Sequence, residues 1–318
     1  MKSLLLLFLL VSCSHVKRNA ELSSNSKDLP DWIYAPYEFC VEVRELCATG
    51  EAKGMARADS EAKANLASIF EVSIKSDLNI NSSSTQSLPW LAKVNEEVRL
   101  SVQQSVSQVL ESVEIKKHFK KDGLSFSLAS LDRARALEII GPRLSKLDKE
   151  LEVLWANRSR TNLRRMVKLN LEREKLNERF AIISGAGRTP KVTFEQIITW
   201  KESKPQTVPL NLKVGQSPEW LTDKLRELLT EAGFRLVKGE SSRVVSLNVD
   251  SIKEYMNVSG FEKFTFTLNL ESYEDGEKKR VISTSETVNG RTQADALLKV
   301  KHFFTEYLEQ HLSDLHID

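Results

Sequence analysis

Three cysteines and five histidines are the side chains that could carry nucleophilic or metal chemistry in this 318-residue chain. Nucleophilic catalysis needs a serine or cysteine near a base, and a hydrolytic metal site needs several converging histidines or carboxylates. Cys40 and Cys47 have no histidine nearby in the sequence, and neither Gly-x-Ser-x-Gly nor His-Glu-x-x-His occurs. His302 and His311 point to opposite sides of one predicted helix. These patterns predict no catalytic residue, no metal ligand and no cofactor.

Carboxylate pairs that cleave glycans stay open at this point, because their two members come from distant positions and the chain has 44 acidic residues. None of these residues lies in a recognisable setting. We therefore expect that the protein is not an enzyme.

The chemistry expected of Cys13 follows from the segment before it. Lys2 precedes the apolar residues 4–11, a profile typical of a signal peptide, here residues 1–12. As a helix this apolar run would extend about 12 Å, too little to cross a hydrocarbon core of about 30 Å. The run ends in Leu-Val-Ser-Cys at 10–13, which resembles the lipobox of bacterial lipoproteins.

The resemblance to a lipobox implies that Cys13 becomes the mature N-terminus, with diacylglycerol on its sulfur and a further acyl chain such as palmitate on its amine. Cys13 would then be the lipidation site and the lipid bilayer its partner. Ser14, rather than Asp, implies sorting to the outer membrane with the body facing the periplasm. Two alternatives stay open: a secretory signal cleaved near Ser12 or Ser14, and a chance cysteine.

The segment after Cys13 is polar and has no apolar period, so residues 13–29 are interpreted as the lipidated cysteine with a flexible tether. The formal charge of the whole chain is +2, and removal of Lys2 with the signal lowers it by one unit. With a net charge this close to zero, the protein has no overall positive potential that would attract nucleic acid.

Cys40 and Cys47 bracket a short stretch, and export would place them in an oxidising compartment, where a disulfide is the natural expectation. A loop of this length would stabilise the fold by about 2.5 kcal/mol in the chain-entropy model. The bond requires the chain to fold back as a tight hairpin or bulged loop. Two buried free thiols are the alternative.

Residues 30–132 predict an α/β unit. Short strands are expected at 39–43 and 46–50, an Ala-rich amphipathic helix at 52–70, a strand at 70–80 and a helix from Pro89 to Val109. Asp122-Gly123 between two alternating runs predicts a hairpin, with His118 facing solvent.

These elements and their motifs together resemble the LPP-twenty-like lipoprotein family over about residues 30–133. The motifs are PDW at 30–32, ATGEAKG at 48–54, the helix ARADSEAKANLASIF and the hairpin exit LSFSLASLDR. The family includes disc and ring components around flagellar motors. The resemblance implies an α/β unit of that type and self-association or envelope protein partners.

Residues 133–188 predict a helical hairpin with its turn at 157–159. Its arginines at 158, 160, 164 and 165 either meet anionic lipid or glycan, or form a solvated face balanced by Glu172, Glu174 and Glu178; the second is favoured. One more strand is expected at 192–198.

Residues 189–318 predict a C-terminal α+β domain in which a small sheet is covered by two helices. Strands are expected at 210–214, 234–237, 244–249, 264–270 and 281–287, with a hairpin turn at Asp275-Gly276. The first helix follows Ser217-Pro218, with Ser217 as its cap, and a closing helix spans 294–312.

The sequence thus predicts an α+β protein that acts as a non-catalytic outer-membrane lipoprotein, a structural or assembly component of a periplasmic or flagellar-associated complex. The alternative function is a periplasm-facing binding or carrier module for lipid, glycan or a protein partner. A deep apolar cleft would favour the second.

Overall fold

The computed structural model describes residues 29–41, 43–76, 88, 90–205 and 207–317. The predicted signal peptide, Cys13 and the tether up to residue 28 lie outside the described residues. The helices are α1 (Asp31–Tyr34), α2 (Pro36–Phe39), α3 (Met55–Ser76), α4 (Leu91–Leu110), α5 (Arg133–Ala156), α6 (Leu163–Ser184), α7 (Phe194–Glu202), α8 (Glu219–Glu231), α9 (Gln293–Lys299) and α10 (Lys301–His311). The strands are β1 (Glu45–Ala52), β2 (Glu114–Lys121), β3 (Leu124–Asp132), β4 (Val208–Val214), β5 (Phe234–Leu236), β6 (Arg243–Glu254), β7 (Glu262–Glu274) and β8 (Glu277–Gly290). Helices packed on two mainly antiparallel sheets confirm the α+β class.

The first sheet has the order β1-β3-β2 and is antiparallel throughout. Asp122 and Gly123 both adopt positive φ, as a tight two-residue turn requires, so the predicted hairpin is confirmed. Helix α3 crosses one face of this sheet through Ala58 and Ala62, both fully buried. Gly50 of β1 lies against the backbone of α3, which explains why that helix needs small side chains where it meets the sheet.

Two predictions in this unit are wrong. Helix α3 continues to Ser76, so no strand begins at Phe70; Phe70 is buried one helical turn beyond Leu66. The helix continues because no glycine or proline follows Met55 before position 89; the part of the predicted strand beyond Ser76 lies outside the described residues. The strand expected at 39–43 is also absent, since Pro36 starts helix α2, which includes Phe39.

Helices α4, α5 and α6 pack together, as the valine spacing of α4 and the predicted helical hairpin required. The Arg143 guanidinium donates to the Glu172 carboxylate at 2.6 Å and to the Ser101 hydroxyl at 2.5 Å, which ties the three helices through one buried polar cluster. Their apolar side chains share a continuous core that runs from Ala62 to Ile197. We call residues 29–205 the N-terminal lobe.

The strand expected at 192–198 is instead helix α7. Thr193 accepts a hydrogen bond from the Gln196 backbone while the Gln196 side chain accepts from the Thr193 backbone, a complete capping box. This reciprocal cap satisfies two backbone donors that a strand would have had to pair elsewhere.

The second sheet has the order β5-β4-β6-β7-β8; β4 is parallel to β5 and β6, and the other pairs are antiparallel. Helices α8, α9 and α10 cover one face around a second core, Leu210 to Ile317. We call residues 207–317 the C-terminal lobe. The closing helix is divided at Val300, and the cap of α8 is Pro218 rather than Ser217, whose hydroxyl instead bonds Thr222. Among the described residues, no helix combines the length and apolarity needed to cross a membrane.

Candidate functional site

The cysteine pair lies where the chain turns from α2 into β1. In the structure a disulfide joins Cys40 to Cys47, with their Cα atoms 6.4 Å apart. The backbone amides of Arg44 and Glu45 both donate to the Val41 carbonyl, at 2.6 and 2.8 Å. This tight turn folds the segment back on itself and provides the geometry that a disulfide between residues so close in sequence requires.

The segment from α1 to the disulfide covers the second face of the first sheet. Trp32 and Cys40 are buried against Phe126 and Leu128 of β3. Because α3 covers the opposite face, β3 is enclosed from both sides and its residues 125–131 are all buried. The disulfide therefore fixes a small satellite core that joins the start of the described chain to the sheet.

The outward side of the same segment is apolar and exposed. We define the N-terminal apolar face as Tyr34, Tyr37, Phe39, Val41 and Val43, all exposed to solvent. The Lys117 ammonium lies 4.4 Å from the centroid of the Phe39 ring, so β2 contributes a cation at the edge of this face. The sequence prediction placed part of this face in a strand at 39–43 and therefore missed the face.

Cys40, Glu45 and Cys47 bring three potential metal-binding atoms within 4.8 Å of one another. Cysteine binds metal as a thiolate, and the two sulfurs are bonded to each other in this structure. The two cysteines therefore close a loop by their disulfide and leave Glu45 as the one remaining metal-binding group of the three. Glu45 forms an ion pair with Lys116 at 3.2 Å.

His118 is half-exposed and takes part in a contact that the sequence prediction missed. Its Nε2 lies 2.7 Å from Asp59 Oδ1, and the Ser127 hydroxyl donates to the same oxygen at 2.5 Å. Burial alone would raise the pKa of Asp59, but the hydrogen bonds from Ser127 and His118 outweigh it and lower that pKa. A catalytic triad requires the histidine to accept the serine proton, whereas here both groups bind the aspartate. The cluster fixes α3 on the sheet.

A cleft of 440 Å³ separates the two lobes and has Arg164 on its wall. Arg164 donates to Glu97 of α4 at 2.8 Å and to Glu231 of α8 at 2.5 Å. Its side chain is only 11% exposed, so it does not form the solvated face predicted for the arginine cluster. The predicted counterions are also different, because Glu172, Glu174 and Glu178 pair with Arg143, Arg173 and Arg179.

Among the acids of this cleft, Glu97 has its ionised form favoured. Burial would raise the pKa of Glu97, but the hydrogen bonds and charges of Lys168 and Arg164 lower it below its ordinary value. On the other side, Glu309 pairs with Lys224 at 2.7 Å, and Glu150 with Arg165 at 3.5 Å. Glycan cleavage needs one carboxylic acid with a raised pKa. The pKa of Glu97 is shifted the opposite way, and its ion pairs with Arg164 and Lys168 join α4 to α6.

A second cleft, of 560 Å³, lies beside the first between Trp200 and Glu231. Half or more of the lining residues of both clefts are charged. Neither therefore has the deep apolar lining that would favour a lipid carrier.

Several solved structures, among them the following three, resemble this chain at low similarity. A minor lipoprotein from Acinetobacter baumannii is 12% identical, with 34% of this chain and 92% of that chain covered at a TM-score of 0.28. Rare lipoprotein B from Shewanella oneidensis is 14% identical, covering 34% and 94% at a TM-score of 0.27. A secreted protein from Helicobacter pylori is 13% identical, covering 85% and 97% at a TM-score of 0.32. No protein-family model and no curated protein matches the chain. TM-scores this low do not establish a shared fold, and the LPP-twenty-like resemblance stays a prediction.

Proposed function

We propose that this protein is a non-catalytic lipoprotein of the outer membrane, anchored by acyl chains on Cys13, with a structural or assembly role on the periplasmic side. The lipobox-like sequence before Cys13 supports the anchor. The alternative carrier role is not favoured, because charged residues make up half or more of the lining of both clefts.

The observation that carries the proposal is the disulfide between Cys40 and Cys47. Structural disulfides persist in oxidising compartments and are rare in the bacterial cytosol. The pair lies shortly after the tether in sequence, so an export signal, a lipidation motif and an oxidised cysteine pair follow one another within the first 47 residues. All three features are expected of a protein that is exported to the periplasmic side of the inner membrane.

The assembly role needs a surface other than the Ala-rich face of α3. Ala58 and Ala62 are buried inside the chain, so the small-residue face of α3 is not available to another copy. The exposed apolar residues of the β6–β7 hairpin tip are a better candidate. They are Ile252, Tyr255, Val258 and Phe261. Apolar clusters on a surface are typical of contacts with protein partners. A flagellar partner is suggested by the family resemblance alone.

Fractionation of the natural chain and of Cys13→Ser tests the anchor. We expect the natural chain in outer-membrane fractions, with an intact mass that includes diacylglycerol and a third acyl chain. The Cys13→Ser chain should lack these groups and change its fractionation. Equal fractionation of both chains, or an unprocessed natural chain in the cytosol, would contradict the anchor.

Cross-linking of intact envelopes followed by mass spectrometry tests the assembly role. We expect higher-mass species that contain this chain and either further copies or an envelope protein. Tyr255→Ser should reduce these species, whereas Leu100→Ser, at an exposed apolar residue of the other lobe, should not. A strict monomer in cross-linked and detergent-extracted envelopes would contradict assembly.

A further inference from the structure

The N-terminal apolar face is the surface of the described chain that lies next to the proposed anchor in sequence. The described residues begin at Leu29, and α1 and α2 follow at once. The tether predicted from the sequence for residues 14–28 would span about 20 Å on average if it behaved as a random coil. Lipid on Cys13 would therefore hold the start of α1 close to the bilayer surface.

The composition of this face suits the boundary between headgroups and acyl chains. Tyr37 is 66% exposed and Val43 is 88% exposed. Tyrosine combines an apolar ring with a polar hydroxyl, which is why it is enriched at membrane interfaces. Three exposed aromatic rings within residues 34–39 are a large apolar area to leave in contact with water.

The charges around the face are of both signs. Lys117 and Lys121 lie on the same sheet face as Phe126 and Leu128, according to the β2–β3 register, and Arg44 is in the adjoining turn. Asp31 and Glu38 are on the helices themselves. Attraction to anionic headgroups is therefore limited, and insertion of aromatic and aliphatic side chains must supply most of the binding.

The disulfide makes the face rigid. It joins the end of α2 to β1, while Trp32 anchors α1 against β3. Side chains presented from such a fixed segment lose little further conformational freedom when they enter an interface.

From these observations we infer that the N-terminal apolar face lies on the phospholipid bilayer that carries the anchor, with Tyr34, Tyr37 and Phe39 at the headgroup boundary. This inference rests on the proposed lipid anchor. It adds that the N-terminal lobe has a fixed orientation on the membrane, with α1 and α2 against it, instead of rotating freely on its tether.

Hydroxyl-radical footprinting of the natural lipidated chain tests the inference. The chain is reconstituted in vesicles of phosphatidylethanolamine and phosphatidylglycerol in equal amounts, and the reference is the chain from Ser14 onward in solution. That reference keeps every described contact, because the described fold begins at Leu29. We expect Tyr34, Tyr37 and Phe39 to be labelled several-fold more slowly in vesicles, and Leu298, which is 63% exposed in the other lobe, at an unchanged rate.

Two further measurements separate the possible outcomes. The intact mass of the same sample shows whether Cys13 is acylated, so a chain without acyl groups overturns the anchor, whereas an acylated chain with fully labelled Tyr37 overturns only the orientation. Protection that disappears at about 1 M salt, where charges are screened beyond about 3 Å, would also overturn insertion as its cause.

Substitution gives an independent test of the same surface. For the chain from Ser14 onward, Tyr34→Ser with Tyr37→Ser should lower the vesicle partition coefficient about tenfold, because two aromatic side chains lose their burial. Leu298→Ser, at an exposed apolar residue of α9 in the C-terminal lobe, should leave it unchanged. Equal partition of the double variant and the parent chain would contradict the inference.

Discussion

Arg164 of α6 and Glu231 of α8 form an ion pair at 2.5 Å that joins the two lobes. Both side chains are largely buried, at 11% and 12% exposure, and the same guanidinium also binds Glu97 at 2.8 Å. Since the attraction between charges increases as water is excluded, one arginine connects α4, α6 and α8 more strongly than surface pairs could. The position of one lobe on the other therefore depends on Arg164.

Replacement of Arg164 by alanine should lower the free energy of unfolding by about 2–4 kcal/mol, because Glu231 would lose its partner at 2.5 Å and Glu97 would keep only Lys168. Urea denaturation of the purified protein measures the change. Arg99→Ala is the matched control, since Arg99 forms an exposed pair with Glu96 on one helix and should cost less than about 1 kcal/mol. Equal losses in the two variants would show that the Arg164 cluster does not join the lobes.

The same junction should make stability sensitive to acid. The pKa of Glu97 is lowered, against the effect of burial, by Lys168 and Arg164, and that of Glu227 is lowered, again against burial, chiefly by Lys93 across the lobes. A carboxylate whose folded pKa is depressed stabilises the fold above its unfolded pKa. That contribution is lost as the pH falls through the folded value.

We therefore expect little change in stability from these two groups between neutral pH and their unfolded pKa near 4.5, and a loss below it. Glu97→Gln with Glu227→Gln should be less stable at neutral pH and should lose less on acidification. Unfolding curves at a series of pH values measure both effects, and Glu240→Gln, at an exposed carboxylate, is the control. Parallel acid profiles for the double variant and the natural chain would contradict the assignment.

Local signals in the sequence were sufficient for much of the fold. Asp122-Gly123 and Asp275-Gly276 lie at hairpin turns because few dipeptides adopt their backbone conformation at so little cost. The regular valines of α4 also determine one buried face. These features depend on residues a few positions apart, which is the range over which periodicity and turn chemistry act.

The Arg164 cluster could not be predicted in the same way. Glu97 and Glu231 are each 67 residues from Arg164, and nothing in their local sequence distinguishes them from other acids. The prediction that Arg164 lies on a solvated face followed from local charge balance alone. Helix α7 was missed for a different reason. The segment 192–198 is short and apolar, which also fits a strand, and only the capping box formed by Thr193 and Gln196 indicates a helix.

The disulfide between Cys40 and Cys47 should be detectable by counting thiols in the exported protein. Alkylation without reduction should modify neither cysteine, and alkylation after reduction should modify both. Reduction should lower the free energy of unfolding by about 2.5 kcal/mol, the chain-entropy value for a loop of this size. Cys40→Ser with Cys47→Ser is the genetic equivalent and should become insensitive to reductant. Two thiols that react before reduction would favour the alternative of free cysteines.

Gly50 is where the close packing of α3 on β1 is most demanding. A Cβ atom at this position would overlap the Ala62 nitrogen and the Ala58 carbonyl oxygen, and would lie 2.7 Å from the Glu61 carbonyl carbon. All three are backbone atoms, so relief requires the helix itself to move away from the sheet. Such a shift would open the buried contacts of Ala58 and Ala62.

Gly50→Ala should therefore lower the free energy of unfolding by about 2–3 kcal/mol, the range of overpacked core substitutions. Thermal and urea unfolding measure the loss. Gly141→Ala is the matched control, because the nearest atom to its added Cβ is 3.5 Å away at the flexible end of Arg188. It should change stability by less than about 1 kcal/mol. If both substitutions were equally mild, α3 would not pack directly on Gly50.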